Sequence, residues 1–134
     1  MNNVISQLVS MLLPEEISLH FQIVSIKEES HGIVLRLEEL PELVPNSMFD
    51  LDDIVLDGFC NPVELLHYSI QDRPLYLKIY RRRWKQSGSE KHYSNRYDLH
   101  PEGVKATHRF ASFLKDEVGL TPDEYLRDFL DIKS

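Results

Sequence analysis

Leu75, Leu77 and Ile79 alternate with Tyr76, Lys78 and Tyr80. A side-chain period of two marks a strand with one buried face. Past Ile79 the pattern turns polar through Arg81, Arg82, Arg83, Trp84 and Lys85, and Gln86-Ser87-Gly88-Ser89 supplies a small-residue turn. A return strand over about Lys91 to Tyr97 completes a basic hairpin over 75–97, which the pattern predicts to reach beyond the core into solvent.

The segments before it have the same period. Leu19, Phe21 and Ile23 give way to Val24 and Ile26 on the other parity, which predicts a bulge or a strand covered on both faces. Ser30-His31-Gly32 is a turn, and Ile33, Leu35 and Leu37 form the second strand of a hairpin. Val63, Leu65, Tyr68 and Ile70 mark a third. Glu39 to Gly58, with two prolines and scattered acids, reads as a long connection with at most a short helix. Five antiparallel strands over 19–98 are the expectation.

Helical spacing brackets this sheet. Val4, Ile5, Leu8, Met11 and Leu12 predict an amphipathic helix over 1–13 ended by Pro14, either a lid for the sheet or a partner contact. A helical pair is expected over 103–131, with Val104, Ala106, Phe110, Phe113, Leu114 and Val118 in the first member and Gly119 as its C-cap. The second opens on Thr121-Pro122-Asp123-Glu124, a capping residue, Pro at N1 and an acid at N3. Its Asp123, Glu124, Asp128 and Asp131 would repel phosphate, so it is no recognition helix. Tyr125, Leu126, Phe129 and Leu130 are read as packing or dimer residues. The order predicts an α+β fold in one domain, 1–134: an antiparallel sheet of about five strands, an N-terminal helix and two C-terminal helices.

Charge is segregated along the chain. From Arg73 to Arg109 there are ten Lys or Arg against three acids, a net of +7, whereas residues 1–72 hold two against thirteen, a net of -11. The overall -7 therefore conceals a basic central third. Basic strand ends also discourage sheet-to-sheet aggregation, and Tyr and Trp on strands also form cross-strand pairs. With acidic flanks repelling phosphate, any nucleic-acid contact is expected to be local and salt-sensitive. The residues assigned to DNA contact are Arg81, Arg82, Arg83, Trp84, Lys85, Lys91 and Arg96, with Tyr93 and Tyr97 as flanking aromatics. Trp84 either stacks on an exposed base or packs on Tyr93 or Tyr97 to stiffen the hairpin, and the second is favoured.

Signals of catalysis are missing. The chain has no Gly-rich phosphate loop, no Gly-x-Ser-x-Gly and no His-Glu-x-x-His, so no catalytic residue, cofactor or metal ligand is assigned and no enzyme is expected. The eight-residue intervals of His92, His100 and His108 do not favour a shared metal, and Asp50, Asp52, Asp53 and Asp57 lack the order of a Ca²⁺ loop. A single cysteine, Cys60, can form neither an internal disulfide nor a zinc ribbon and suits a reducing cytoplasm. The apolar opening is too short to span a bilayer and lacks signal-peptide flanks, so a cytoplasmic protein without membrane contact is expected.

Asp57-Gly58-Phe59, Tyr68-Ser69-Ile70-Gln71-Asp72, the run from Leu75 to Trp84 and Phe110-Ala111-Ser112-Phe113-Leu114-Lys115 together resemble the N-terminal-region proteins of bacterial insertion-sequence transposases, short chains encoded ahead of a separate catalytic chain. The resemblance runs from Leu12 to about Lys115, and Arg81-Arg82-Arg83-Trp84 after an alternating strand is its most specific part. The chain departs from the family in a turn shortened to Asp72-Arg73-Pro74 and a longer tail after Gly119. The resemblance implies a non-catalytic DNA-binding accessory whose partner is that catalytic chain. The competing expectation is a protein-interaction adapter with no nucleic-acid role.

Overall fold

A computed structural model describes residues 3–133 of the chain. It has an α+β fold with four helices and seven strands in two sheets. The helices are α1 (Asn3–Leu12), α2 (Glu15–Ser18), α3 (His108–Phe113, continued by one π turn over Leu114–Val118) and α4 (Pro122–Lys133). The strands are β1 (Phe21–Glu29), β2 (Gly32–Glu39), β3 (Ile54–Phe59), β4 (Val63–Ile70), β5 (Arg73–Tyr80), β6 (Arg82–Gln86) and β7 (His92–Tyr93). The larger sheet runs β1-β2-β5-β4 and the smaller β3-β6-β7.

Several local expectations are met for the reasons that suggested them. The parity change in β1 is a register shift between Ile23 and Ser25. By contrast, the turn joining β4 to β5 falls one residue earlier than Asp72-Arg73-Pro74: Gln71 and Asp72 take positive φ (50° and 63°), the backbone of the tight turn that best matches strand twist, and Arg73 and Pro74 already belong to β5. Thr121 and Glu124 form a reciprocal cap at α4: the Thr121 N–H donates to Glu124 Oε1 (3.1 Å) and the Glu124 N–H to Thr121 Oγ1 (3.2 Å). Gly119 ends the preceding turn at φ 76°. Gly32 has a different reason to be glycine: a Cβ there would lie 2.4 Å from the Pro74 carbonyl oxygen.

Four expectations are corrected. The sheet is not wholly antiparallel, because β2 lies parallel to β5 from Ile33 beside Leu75 to Glu38 beside Tyr80. The segment Glu39 to Gly58 contains a strand, β3, whose short alternation is interrupted at Asp57-Gly58 and which pairs with β6. The run Leu75 to Trp84 is two strands in two sheets, divided at Arg81. The first member of the C-terminal pair also starts later than its apolar spacing suggests. Residues 105–107 run along the edge of β4 instead, where the Leu66 N–H donates to the Lys105 carbonyl and the Thr107 N–H to the Leu66 carbonyl, each at 3.0 Å.

Alternation within the larger sheet builds two cores on opposite faces. Leu35, Leu37, Leu65, Leu75, Leu77 and Ile79 face Leu13 and Ile17 of the N-terminal helical region together with Phe21 and Leu99. Leu66, with Tyr68 and Tyr76, faces Ala106, Phe110 and Leu114. Tyr125 and Leu126 of α4 pack on this second core, so for these two of the residues read as packing or dimer residues the packing role holds; the side chains of Phe129 and Leu130 lie outside the described residues. Residues 1 and 2 of the expected N-terminal helix also lie outside them. Among the described side chains of α1, Val9 packs on the core, while Ile5, Leu8, Met11 and Leu12 are exposed. No helix among the described residues is long and apolar enough to cross a membrane.

Candidate nucleic-acid interface

The site is organised by a buried acid at the end of β2. Glu39 has no solvent exposure, and an unpaired carboxylate there would be strongly unfavourable. Its Oε1 accepts the Arg82 backbone N–H (2.8 Å), and its Oε2 accepts Asn95 Nδ2–H (2.8 Å) and the Tyr97 hydroxyl. The Glu39 backbone carbonyl accepts Arg82 Nε–H at 2.6 Å. Bonds to a charged acceptor are stronger than neutral ones, so this set fixes the start of β6 and the segment 95–97 against the larger sheet. The strand breaks at Arg81 because the next backbone donor goes to Glu39 and away from the β5 ladder. Tyr97 packs between Phe21 and His20, at ring-centroid distances of 5.1 and 4.9 Å. Burial, then the bond to Glu39, pushes its phenol well above the ordinary tyrosine range.

Beside this anchor lies a cleft of about 410 Å³ lined by Val63, Arg81, Arg96, Tyr97, Leu99, His100 and Lys105. Two arginines, a lysine and a histidine line it, and among the described residues no carboxylate does. Arg81 is held in place by Nη1–H donating to the Asn95 carbonyl (2.7 Å) and to Ser94 Oγ (3.3 Å), with its remaining donors uncommitted by those two bonds. His100 donates Nδ1–H to the Pro101 carbonyl at 2.8 Å, which leaves Nε2 as its second polar atom. Lys105 comes from the segment pinned to the edge of β4, and Arg96 from the segment anchored on Glu39.

The smaller sheet carries a second basic surface. Lys85 stands opposite His92 and Val55, and Lys91 lies over the Tyr93 ring at 5.1 Å. This surface is partly neutralised. Asp57 Oδ2 lies 2.6 Å from His92 Nε2 and 3.6 Å from Arg83 Nη2, and Arg83 Nε–H donates to the Asp57 carbonyl at 2.9 Å. The hydrogen bond with His92 holds the Asp57 carboxyl below its ordinary range, against burial, with Lys85 and Arg83 adding to the effect.

The nine residues assigned from the sequence therefore separate into three groups. Arg81, Arg96 and Tyr97 meet at the cleft. Arg83, Lys85, Lys91 and Tyr93 lie on the smaller sheet. Arg82 and Trp84 do not project as expected. The Arg82 side chain is held by Glu39 and by Glu38 (3.9 Å) and sits over the Phe59 ring at 5.1 Å. Trp84 is only 6% exposed; in register it stands between Leu56 of β3 and Tyr93 of β7, the latter one of the two residues on which it was expected to pack. His100 and Lys105 were missed from the assigned set. Lys105 fell inside an expected helix, and His100 was weighed only as a metal ligand; the available signal was their place in the basic third. Among the described residues no three His, Cys, Asp or Glu side chains group to hold a metal ion. No known family model, curated protein or solved structure compared with this chain matches it.

Proposed function

We propose that this chain is a non-catalytic, DNA-contacting accessory that holds the phosphate backbone in the cleft of Arg81, Arg96, His100 and Lys105. The observation that carries the reading is a concave site with four basic side chains and no acid, in a chain whose net charge is -7. Cations gathered in a cleft focus potential and raise the local concentration of an anionic ligand, while acidic flanks confine the attraction to that place. Lys85 and Lys91 extend the basic surface along the smaller sheet. The resemblance to transposase N-terminal-region proteins supports a catalytic chain as the partner, with cleavage and joining carried out by that chain.

Arg96 and Lys105 are exposed, which makes them suitable for a test of binding without loss of fold. An Arg96→Glu, Lys105→Glu variant should keep its melting temperature within a few degrees and lose most of its affinity for linear DNA in a mobility-shift titration at low salt. Undiminished affinity in a folded variant would remove the cleft from the function.

The adapter reading is favoured by one specific observation, the exposed apolar residues Ile5, Leu8, Met11 and Leu12 on α1, with Met11 at 82%. Uncovered apolar side chains grouped on one element are a feature of protein-binding surfaces. The two readings occupy different surfaces of the molecule and are tested separately.

A further inference from the structure

We propose that the cleft takes one unpaired nucleotide of a DNA strand in preference to the side of a duplex. The inference rests on the nucleic-acid reading above and sharpens it. A site for duplex backbone needs cations spread along a ridge or an open groove, since the phosphates of a duplex lie on the outside of a cylinder. Here Arg81, Arg96, His100 and Lys105 line a half-open cleft of about 410 Å³, within the range of about 300–1,000 Å³ typical of small-ligand sites. A rigid duplex cannot enter a hollow of that size, whereas a nucleotide released from its partner strand can.

The lining of the cleft supports the same choice. Val63 and Tyr97, both half-buried, contribute apolar wall beside the arginines and Lys105, while Leu99 belongs to the core at 4% exposure, and phosphate contact alone makes no use of such a wall. A base or a sugar does. Single-strand sites elsewhere combine a positive groove with aromatic and apolar surface on which bases rest, and this combination tolerates any sequence because every base has a π face. The Tyr97 hydroxyl is committed to Glu39 and its ring packs between Phe21 and His20, so Tyr97 contributes a fixed, half-buried wall rather than a hydrogen bond to a base edge. Arg81 is already oriented by Asn95 and Ser94, so its remaining donors meet a phosphate with little further ordering. The cleft accordingly selects for an exposed strand and reads little of its sequence.

Fluorescence anisotropy of the full chain at low salt tests this. The probes are a labelled oligonucleotide of roughly 12 nucleotides, a length within the site sizes of single-strand grooves, the blunt duplex of the same sequence, and that duplex with a single-stranded overhang. The single strand and the overhang should bind at least about tenfold more tightly than the blunt duplex. Arg96→Glu and Lys105→Glu should each weaken the single-strand complex severalfold, with melting temperatures recorded to show that both variants are folded. A blunt duplex bound as tightly as the single strand, or single-strand affinity unchanged in both variants, would overturn the inference while leaving a duplex-binding role in place. Failure of all three probes to bind would overturn the inference and the nucleic-acid reading together.

Discussion

The Tyr97 hydroxyl donates its hydrogen bond to a carboxylate, Glu39, that water does not reach. Through that bond and the one from Asn95, the segment carrying Arg96 is tied to the end of β2, 58 residues earlier in the chain for Tyr97. The basic cleft therefore depends on an acid. Replacing Tyr97 with Phe leaves Glu39 Oε2 with the Asn95 amide as its donor and should destabilise the fold by about 1–3 kcal/mol, the cost of an under-satisfied buried acceptor. Urea denaturation of Tyr97→Phe measures it. A stability equal to wild type would mean that the anchor carries no weight.

The same bond predicts the alkaline behaviour. The Tyr97 phenol is raised from an ordinary value of 10.0 by burial and by Glu39, so above about pH 10 the unfolded chain gives up this proton while the folded chain keeps it. The contribution is complete below that pH and is lost as pH rises toward the folded value. Denaturation midpoints taken from pH 9 upward should fall, and Tyr97→Phe should flatten the fall.

His67 predicts the acid side. Nε2–H donates to the Leu12 carbonyl (3.0 Å), and Nδ1 accepts the Thr107 hydroxyl (2.7 Å), so the neutral ring joins the end of α1 to the residue capping α3. Burial pushes this imidazole below its ordinary 6.5; Arg109 adds to that, while the Leu12 carbonyl and Glu16 oppose it. An unfolded chain takes up a proton below about pH 6.5 that the folded ring resists, so stability is full above that pH and declines as pH falls toward the folded value. Comparing wild type with His67→Gln between pH 7.5 and 5 should show the variant less stable at the higher pH but with a shallower decline. Parallel curves would contradict the assignment.

Trp84 is the chain's only tryptophan, which makes its fluorescence specific. It is 6% exposed and its indole N–H has no partner among the described residues, so its emission should be blue-shifted and should not change when DNA is added. Strong quenching by DNA would indicate base stacking on the indole. Trp84→Ala should cost about 3–5 kcal/mol as a core truncation, a loss of fold rather than of a contact with DNA.

What the sequence made legible was local. The alternation of Leu75 to Tyr80, the parity change at Val24 and the Thr121–Glu124 cap each follow from neighbours a few residues apart. The division at Arg81 was not legible, because it is made by Glu39 accepting the Arg82 N–H across 43 residues. The strand β3 was hidden for a related reason, since its apolar residues gain meaning only opposite β6. Charge segregation pointed to the third of the chain that carries the residues of the basic cleft. It could not separate Arg82, consumed by Glu38 and Glu39, from Arg81 and Arg96 at the cleft, because that distinction lies in tertiary partners.

The salt dependence of DNA affinity tests the central claim most directly. Wild-type chain should bind DNA at low salt with an affinity that falls linearly on a log–log plot against salt. Replacing Lys105 or Arg96 with Ala should lower that slope by about one unit each if each cation neutralises one phosphate. Lys27→Ala, on β1 in the acidic part of the chain, should leave the slope unchanged. Absence of binding at the lowest salt, or one slope shared by wild type and all three variants, would contradict the account.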